Sequence, residues 1–567
     1  ANTYIPYFSV DLESQMYARS ATAYMRIPFE VTDREMIGRL TLWLRWDDGF
    51  IAYLNGVEVL RQNAPDEPVW NSVATATHPD SDAVISQPFD ISTSIESLVD
   101  GTNVLAIHAL NRPATSSDFL MAATLTASEL STSNPSALPM HDDGQHGDGE
   151  AGDGVFGAIF PPTGMASIRK LFISAETPSM RRDWPGAPGN HQSPDALIEI
   201  SDDLPVVNQA TYRVVMTPTD YTIHRSLGRS SNALINATFI AGDSVHYFAG
   251  LRFRGNSSRS ANPPPVRVNL PADQPFGDSS TLNLNSVASY LQVLGMRLFQ
   301  QAGIPTPDTK AVQVLFNSEN RAGTDGFYAH VEPLGDEFID NHLPEEDRGG
   351  NMYKKQSGHN GNWTYRGNDP VEYQNTGWEK RNNSSAADWQ DLIDFHIAVN
   401  TLPTRHNYLE VMEQNGDIDQ WLRWYAVNNL INNRETNLSN GADDDYTMYR
   451  RPSDGRWIFL PHDLDSILGR GQSGTSRPEE TIFQMLTNFG YRPMERVRPL
   501  FDHPEVSQRY YAIIEELLNS VFAPRQFGQT VDTLLDFVDG AERERLKQFM
   551  LERREHILEF LYGGLTV

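Results

Sequence analysis

The sequence predicts a multidomain chain: an all-β jelly-roll or sandwich domain first, then an α+β domain with a helical C-terminal part. Three observations lead there. At 567 residues the chain is too long for one compact core. Short alternating strand patterns separated by Asn, Asp and Gly turns fill the first 130 residues. Beyond residue 166, strand patterns come first and helical ones last, which is an α+β order rather than a doubly wound one. The expected boundaries are 1–130 for the first domain, 131–165 for a Gly/Asp/Pro-rich linker or small β element, and 166–567 for the second domain.

In the first domain, RLTLWLRWDDGFIAYLNGVEVL alternates apolar and polar residues on both sides of the breaker DDG. GTNVLAIHALNR and DFLMAATLTAS supply two further strands. The linker follows, with HDDGQHGDGEAGDG bringing Asp142, Asp143, Asp148 and Asp153 close together. It lacks the EF-hand spacing and its terminal Glu, so a turn-rich segment and a structural Ca²⁺ site both stand as readings. In the second domain LIEISDD, QATYRVVMT, SNALINATFIA and YFAGLRFRG read as strands, and VASYLQVLGMRLFQQAG as an amphipathic helix closed by Gly303. KAVQVLFN and GFYAHVE resume strands, DIDQWLRWYAVNNLINN is a helix, and DYTMYRRPSDGRWIFLPHDLD is a hairpin turning at PSDG. The last hundred or so residues are helical, and no internal repeat is evident.

Composition narrows the function classes. With 74 Asp and Glu against 45 Lys and Arg the net charge is −29, which repels phosphate backbones and anionic lipid, so no nucleic acid is expected as a partner. No stretch of about 18 apolar residues occurs, so no membrane span is expected. The start ANTYIPYFSV has neither a basic nor an apolar leader region, which predicts a leader already removed or a piece of a longer chain. There is no cysteine, which excludes disulfides, thiolate catalysis and Cys-ligated metals. No G-x-S-x-G elbow, Walker loop or Rossmann fingerprint is found. The histidines show no HExxH-type spacing.

The densest chemical signal is NNRETNLSNGADDDYTMYRRPSDGRWIFLPHDLDSILG, residues 432–469, with Glu435, Asn440, Asp445, Asp463 and Asp465. Asp463 and Asp465 flank Leu464 at the end of an expected strand, where alternation would send both carboxylates the same way. Paired carboxylates suit a hard cation such as Mg²⁺, and a cation beside an acidic base is what phosphoryl transfer requires. The competing reading is a strand cap and a solvated loop. Between the apolar runs IFLP and ILG, however, two uncompensated carboxylates would be costly. A glycosidase pair ranks low, because the two acids are too close in sequence to flank one bond.

Here the chain resembles the CotH kinase family over residues 166–567. The matching stretches are LRFRGNSSR, RLFQQAGIPTP, GFYAHVEP, MYKK, RWIFLPHDLDSILG (against the family's "WDLD" signature), PLFDHPEVSQRYY and LERREHIL. The resemblance implies an atypical protein-kinase-like fold that binds ATP with Mg²⁺ or Mn²⁺ and phosphorylates Ser/Thr of extracellular or coat proteins at the cell surface. It implies Asp463 as the metal-binding aspartate supported by Asp465, Glu435 as the catalytic-loop acid, and Asn440, five residues on, as a second metal ligand with Asp445 nearby. Arg254, Asn256, Ser257 and Arg267 would cradle phosphates, and Glu332 and Lys354 would lie in the nucleotide pocket. Three positions depart from the family pattern. Glu435 replaces an aspartate, His462 a tryptophan, and ANPPPVRVNL places prolines where lysines are expected. They keep open an inactive surface or adhesion scaffold, and a transfer of AMP or glutamate instead of phosphate. The first domain resembles galactose-binding-type β-sandwich modules through WDDGFIAYLNGVEV, WNSVA, GTNVLAIHALN and SSDFL, which implies polysaccharide as a further partner. Trp43, Trp46, Tyr53 and Trp70 are its stacking candidates, although alternation sends some of them into the core. Asp47, Asp48 and Asn55 are expected to shape a turn.

Overall fold

The computed structural model describes residues 4, 10–34, 37–84, 87–116, 118–129, 138–159, 167–177, 180–184, 195–200, 211–229, 231–255, 257–320, 326–355, 363–383, 388–401, 407–433, 446–470, 476–483 and 497–563. Two compact units divide the chain. One comprises Ala1–Ser260, Val268–Gln274 and Leu315–Glu319, the other Ala261–Arg267, Pro275–Val314 and Asn320–Val567.

In the first unit, β1 (Thr22–Val31), β2 (Ile37–Asp47), β3 (Gly49–Leu54), β4 (Val57–Gln62), β5 (Gln87–Asp90), β6 (Gly101–Leu110) and β7 (Leu120–Glu129) form two antiparallel sheets. Their orders are β1-β6-β3-β4 and β5-β2-β7. Alternation decides the packing: Leu40, Leu42, Leu44 and Trp46 of β2 share one core with Phe50, Ala52 and Leu54 of β3 and Leu105, Ile107 and Ala109 of β6. Asn55 and Gly56, with φ of 50° and 88°, make the tight β3–β4 turn.

Asp48 lies at the bend between β2 and β3, and its carboxylate ties that bend to distant segments, accepting from the amides of His78 (3.0 Å) and Arg112 (2.9 Å). Asp47 beside it is buried, and burial together with the charge of Asp48 pushes its carboxyl up to about 8. The aromatic expectation is corrected at two positions. Trp43 is buried with its indole N–H on Thr126 Oγ1, and Trp46 sits in the core stacked on His78 at 3.7 Å. Neither offers a ring face. Trp70 stays 76% exposed, close to half-exposed Tyr24, whose hydroxyl donates to the Trp70 carbonyl (2.9 Å); Tyr53 is half-buried.

Residues 138–159 are turn-rich. Asp148 accepts from the amides of Asp143, Gly144 and His146, and Asp142 from those of Gly152 and Gly154. Burial acts to raise the Asp148 carboxyl, but the amides outweigh it and bring it to about 2. Later in this unit, β8 (Thr211–Val215), β9 (Ile235–Ala241) and β10 (Ser244–Phe253) run antiparallel in chain order.

The second unit holds β11 (Thr281–Asn285), β12 (Thr309–Phe316) as far as Val314, and β13 (Tyr328–Val331), with β13 between the other two. A second antiparallel sheet has β14 (Met352–Lys355), β15 (Trp378–Lys380), β16 (Tyr446–Arg450) and β17 (Trp457–Leu460) in the order β15-β14-β16-β17. Its principal helices are α1 (Ser289–Gln301), α2 (Asp336–His342), α3 (Gln390–Asn400), α4 (Ile418–Leu430), α5 (Pro504–Asn519), α6 (Pro524–Leu534) and α7 (Gly540–Tyr562). Helix α4 is apolar on nearly every side and correspondingly buried, with Trp421 and Trp424 against Phe459 of β17. Asp417 caps it by accepting from the Gln420 amide (3.2 Å).

Candidate functional site

The best-defined part of the expected site is the turn after β17. That strand stops at Leu460, before Pro461, which has no amide hydrogen for a ladder. Asp463 has φ of 42°, so the two carboxylates are not alternate residues of a strand as expected from sequence; they lie on a compact turn instead. Asp463 is half-buried and Asp465 is 7% exposed, with Ser466 Oγ donating to Asp465 Oδ1 at 2.9 Å. Asp463 and Leu468 (φ 52°) are both in the left-handed region, which costs non-glycine residues about 1 kcal/mol or more each. A turn of this kind persists only if its surroundings hold it.

Three contacts do so. The Leu464 amide donates to Gln292 Oε1 on α1 (3.0 Å), and the Leu464 side chain lies so close to α1 that only glycine fits at position 295. At the other end, the Leu468 amide donates to the Ile431 carbonyl (2.7 Å). That bond ties the turn to the end of α4. The helix end itself is braced by buried asparagines: Asn428 and Asn429 donate to Trp424 and Tyr425 carbonyls, Asn433 to Asn428 Oδ1 (2.8 Å), and Asn432 to the Arg477 carbonyl (2.7 Å). In sequence, Glu435 comes two residues after Asn433.

Two oxygen-donor carboxylates, one of them nearly sealed from water, match the ligand preference of a hard divalent cation. This donor set is of the kind that Mg²⁺ or Mn²⁺ takes.

The other expected residues fall as follows. Glu435, Asn440 and Asp445 lie in 434–445, and Asn256 likewise lies outside the described residues. Ser257 opens a short 3-10 turn, Ser257–Ser260, with only its backbone described. Arg254 follows β10 in the first unit and is half-buried. Arg267, in the second unit, donates to Thr281 Oγ1 (3.4 Å). Lys354 is half-buried on β14, opposite Thr447 of β16, while its neighbour Lys355 is fully buried and donates to the Thr376 carbonyl.

Glu332 has local partners that the sequence did not reveal. Its carboxylate lies 2.6 Å from His342 Nε2 and accepts from the Asp308 amide (3.0 Å) and Asn341 Nδ2 (3.3 Å). Burial acts to raise it, but these bonds hold it below its ordinary value. Asp308, Glu332 and His342 have donor atoms within 4.8 Å of one another.

The family model described as CotH kinase protein matches residues 251–548. A second, the conditioned medium factor 2nd Ig-like domain, matches residues 93–167, across β6, β7 and the Asp-rich segment. No curated protein matches. Among solved structures, an α-L-rhamnosidase of Streptomyces avermitilis complexed with L-rhamnose is 20% identical over 19% of this chain and 9% of its own, with a TM-score of 0.15. An exo-chitosanase of Amycolatopsis orientalis is 10% identical over 56% of this chain and 33% of its own, with a TM-score of 0.13. Likenesses this low carry no argument about fold or substrate. No helix among the described residues is long and apolar enough to cross a membrane.

Proposed function

The chain belongs to the CotH kinase protein family, with a β-sandwich module before the kinase domain, and from that premise we propose that it transfers phosphate from ATP to Ser/Thr hydroxyls of extracellular or coat proteins. The observation that carries this reading is the externally held turn presenting Asp463 and buried Asp465 beside the end of α4. Asp463 and Asp465 would hold a divalent cation, with Asn440 and Asp445 as further ligands. When bound, Mg²⁺ or Mn²⁺ neutralises phosphate charge. Glu435 accepts the proton of the attacking hydroxyl as its oxygen bonds to the γ-phosphorus; the bond from that phosphorus to the β-phosphate oxygen breaks and ADP leaves. Arg267, in the same unit as the two aspartates, contributes positive charge toward the phosphates.

The test is calorimetric titration of ATP with Mg²⁺ or Mn²⁺ on the native chain and on Asp463→Ala, with the intact mass of acceptor proteins followed in parallel. Metal-dependent binding lost in the variant, with an acceptor heavier by one phosphate, supports the reading. A mass matching AMP or glutamate redirects it to another nucleotide-dependent transfer. No binding by the native chain leaves the inactive scaffold, which Glu435 and the prolines at 263–265 favour.

The first domain makes polysaccharide contact in this reading. Exposed Trp70 and Tyr24 are adjacent and tied by a hydrogen bond, so they can offer ring faces to sugar C–H groups.

A further inference from the structure

Helix α7 lies more than seventy residues beyond the Asp463 turn in sequence, yet it supplies two arginines to the backbone on which the turn rests. Arg545 donates from Nη1 to the Leu468 carbonyl (2.8 Å) and pairs with Glu542, which also accepts from Tyr290 of α1 (2.7 Å) and lies 3.3 Å from Arg470. Burial acts to raise the Glu542 carboxyl, but Arg545 and Tyr290 outweigh it and keep it charged. Arg553 is 0% exposed, and its two Nη groups donate to backbone carbonyls: Asn429 at the end of α4 (2.8 Å), Pro478 (2.7 Å), Glu480 and Thr481. A buried guanidinium is costly unless its protons are used, and the carbonyl end of a helix is a favourable place to use them.

The two sets of bonds meet at one junction. Leu468 receives Arg545 at its carbonyl and gives its amide to Ile431, two residues past the Asn429 carbonyl that Arg553 holds. Gly469 presses on Phe549 of the same helix so closely that a Cβ would meet the ring at 2.7 Å. Leu468 and Asp463 are both left-handed, so the geometry of the turn depends on these outside anchors.

We propose that Arg545 and Arg553 are positioning residues for the cation site: through Leu468 and Asn429 they fix the Asp463–Asp465 turn against the end of α4, and so set the site's affinity for Mg²⁺. This rests on the phosphotransfer reading above. A purely structural role would lower the melting temperature and leave metal affinity alone.

The experiment titrates Mg²⁺ into the full chain at saturating ATP, with thermal melting and hydrogen exchange alongside. It uses the native protein, Arg545→Met, Arg545→Lys, Arg553→Lys and the control Lys547→Met on the same helix. Arg545 is partly exposed and Glu542 keeps its other partners, so Arg545→Met tests the idea even if Arg553→Lys fails to fold. Loss of one charge-assisted bond predicts Mg²⁺ affinity weaker by about tenfold in Arg545→Met, recovered largely in Arg545→Lys and untouched in Lys547→Met. The Leu468 amide should exchange faster in Arg545→Met. Native Mg²⁺ affinity in Arg545→Met overturns the inference while the phosphotransfer reading stands. A native chain that binds no nucleotide removes that reading, and unchanged exchange at Leu468 in Arg545→Met then overturns the inference on its own.

Discussion

Gly295 offers a test of the turn's architecture in which the expected sign is opposite to the usual one. Gly295 lies inside α1, where alanine is normally better than glycine by about 1 kcal/mol. Here a Cβ would stand 2.8 Å from Leu464 Cδ1, 2.9 Å from Leu464 Cβ and 3.1 Å from Ile467 Cδ1. Leu464 Cβ is rigidly joined to the backbone between the two aspartates, so a rotamer change cannot relieve it. Regaining an ordinary 3.5–4.0 Å contact means moving Leu464 by roughly 0.7–1.2 Å. Overpacking of that kind costs about 1–3 kcal/mol, more than the helix gains, so Gly295→Ala should be net destabilising by about 1 kcal/mol. The effect on the site should be larger than the effect on stability, because a displacement of about 1 Å at reacting groups costs on the order of 10²-fold.

The assay is thermal melting with calorimetric MgATP titration, using Gly528→Ala in α6 as the comparison. Gly528 has nothing within 4 Å of its Cβ position, so its alanine variant should melt slightly higher and bind as native. If Gly295→Ala also melts higher and keeps native MgATP affinity, the close approach of α1 to the turn is refuted.

Asp47 gives a pH prediction in the first domain. Its folded pKa, about 8, is raised above the unfolded value by burial and by Asp48, so its contribution to stability is complete below the unfolded value and lost as pH rises through 8. Asp47→Asn should flatten the fall in the sandwich's melting temperature between pH 5 and pH 8, and an unchanged slope refutes the assignment. Glu199→Gln breaks a buried pair with Arg213 and the Ser318 bond to the same carboxylate (2.6 Å); urea unfolding should show a loss of about 3–5 kcal/mol. Trp70→Ala should reduce retention on insoluble polysaccharide with no change in melting temperature, while Trp43→Ala should lower the melting temperature.

What the sequence made legible follows from period. Two-residue alternation located β2, β3, β6 and β7, and the PSDG hairpin of β16 and β17 stands where its turn residues put it. Period says nothing about which face of a strand remains open, so it does not separate buried Trp43 and Trp46 from exposed Trp70. The apolar run IFLP makes the Asp463 turn look like strand in sequence; Pro461 carries the contrary signal, the missing amide that ends β17. Only its place in a motif marks Glu332 in sequence, and its partner His342 is invisible there because α2 must fold back before the two meet.

The α7 arginines show a deeper limit. On a charged helix such as GAERERLKQFMLERREHILEFLY, an arginine reads by default as solvent-facing, and Arg554 and Arg553 are indistinguishable neighbours in sequence. Only one of them is sealed, and what selects it is two carbonyl-bearing segments, residues 478–481 more than seventy positions away and Asn429 at 124. Backbone carbonyls are contributed by every residue type, so no pattern of side chains could have announced that partner. A cation site built on side chains is therefore partly legible from its aspartates, whereas the frame that holds those aspartates in a left-handed turn is legible only once the chain is folded.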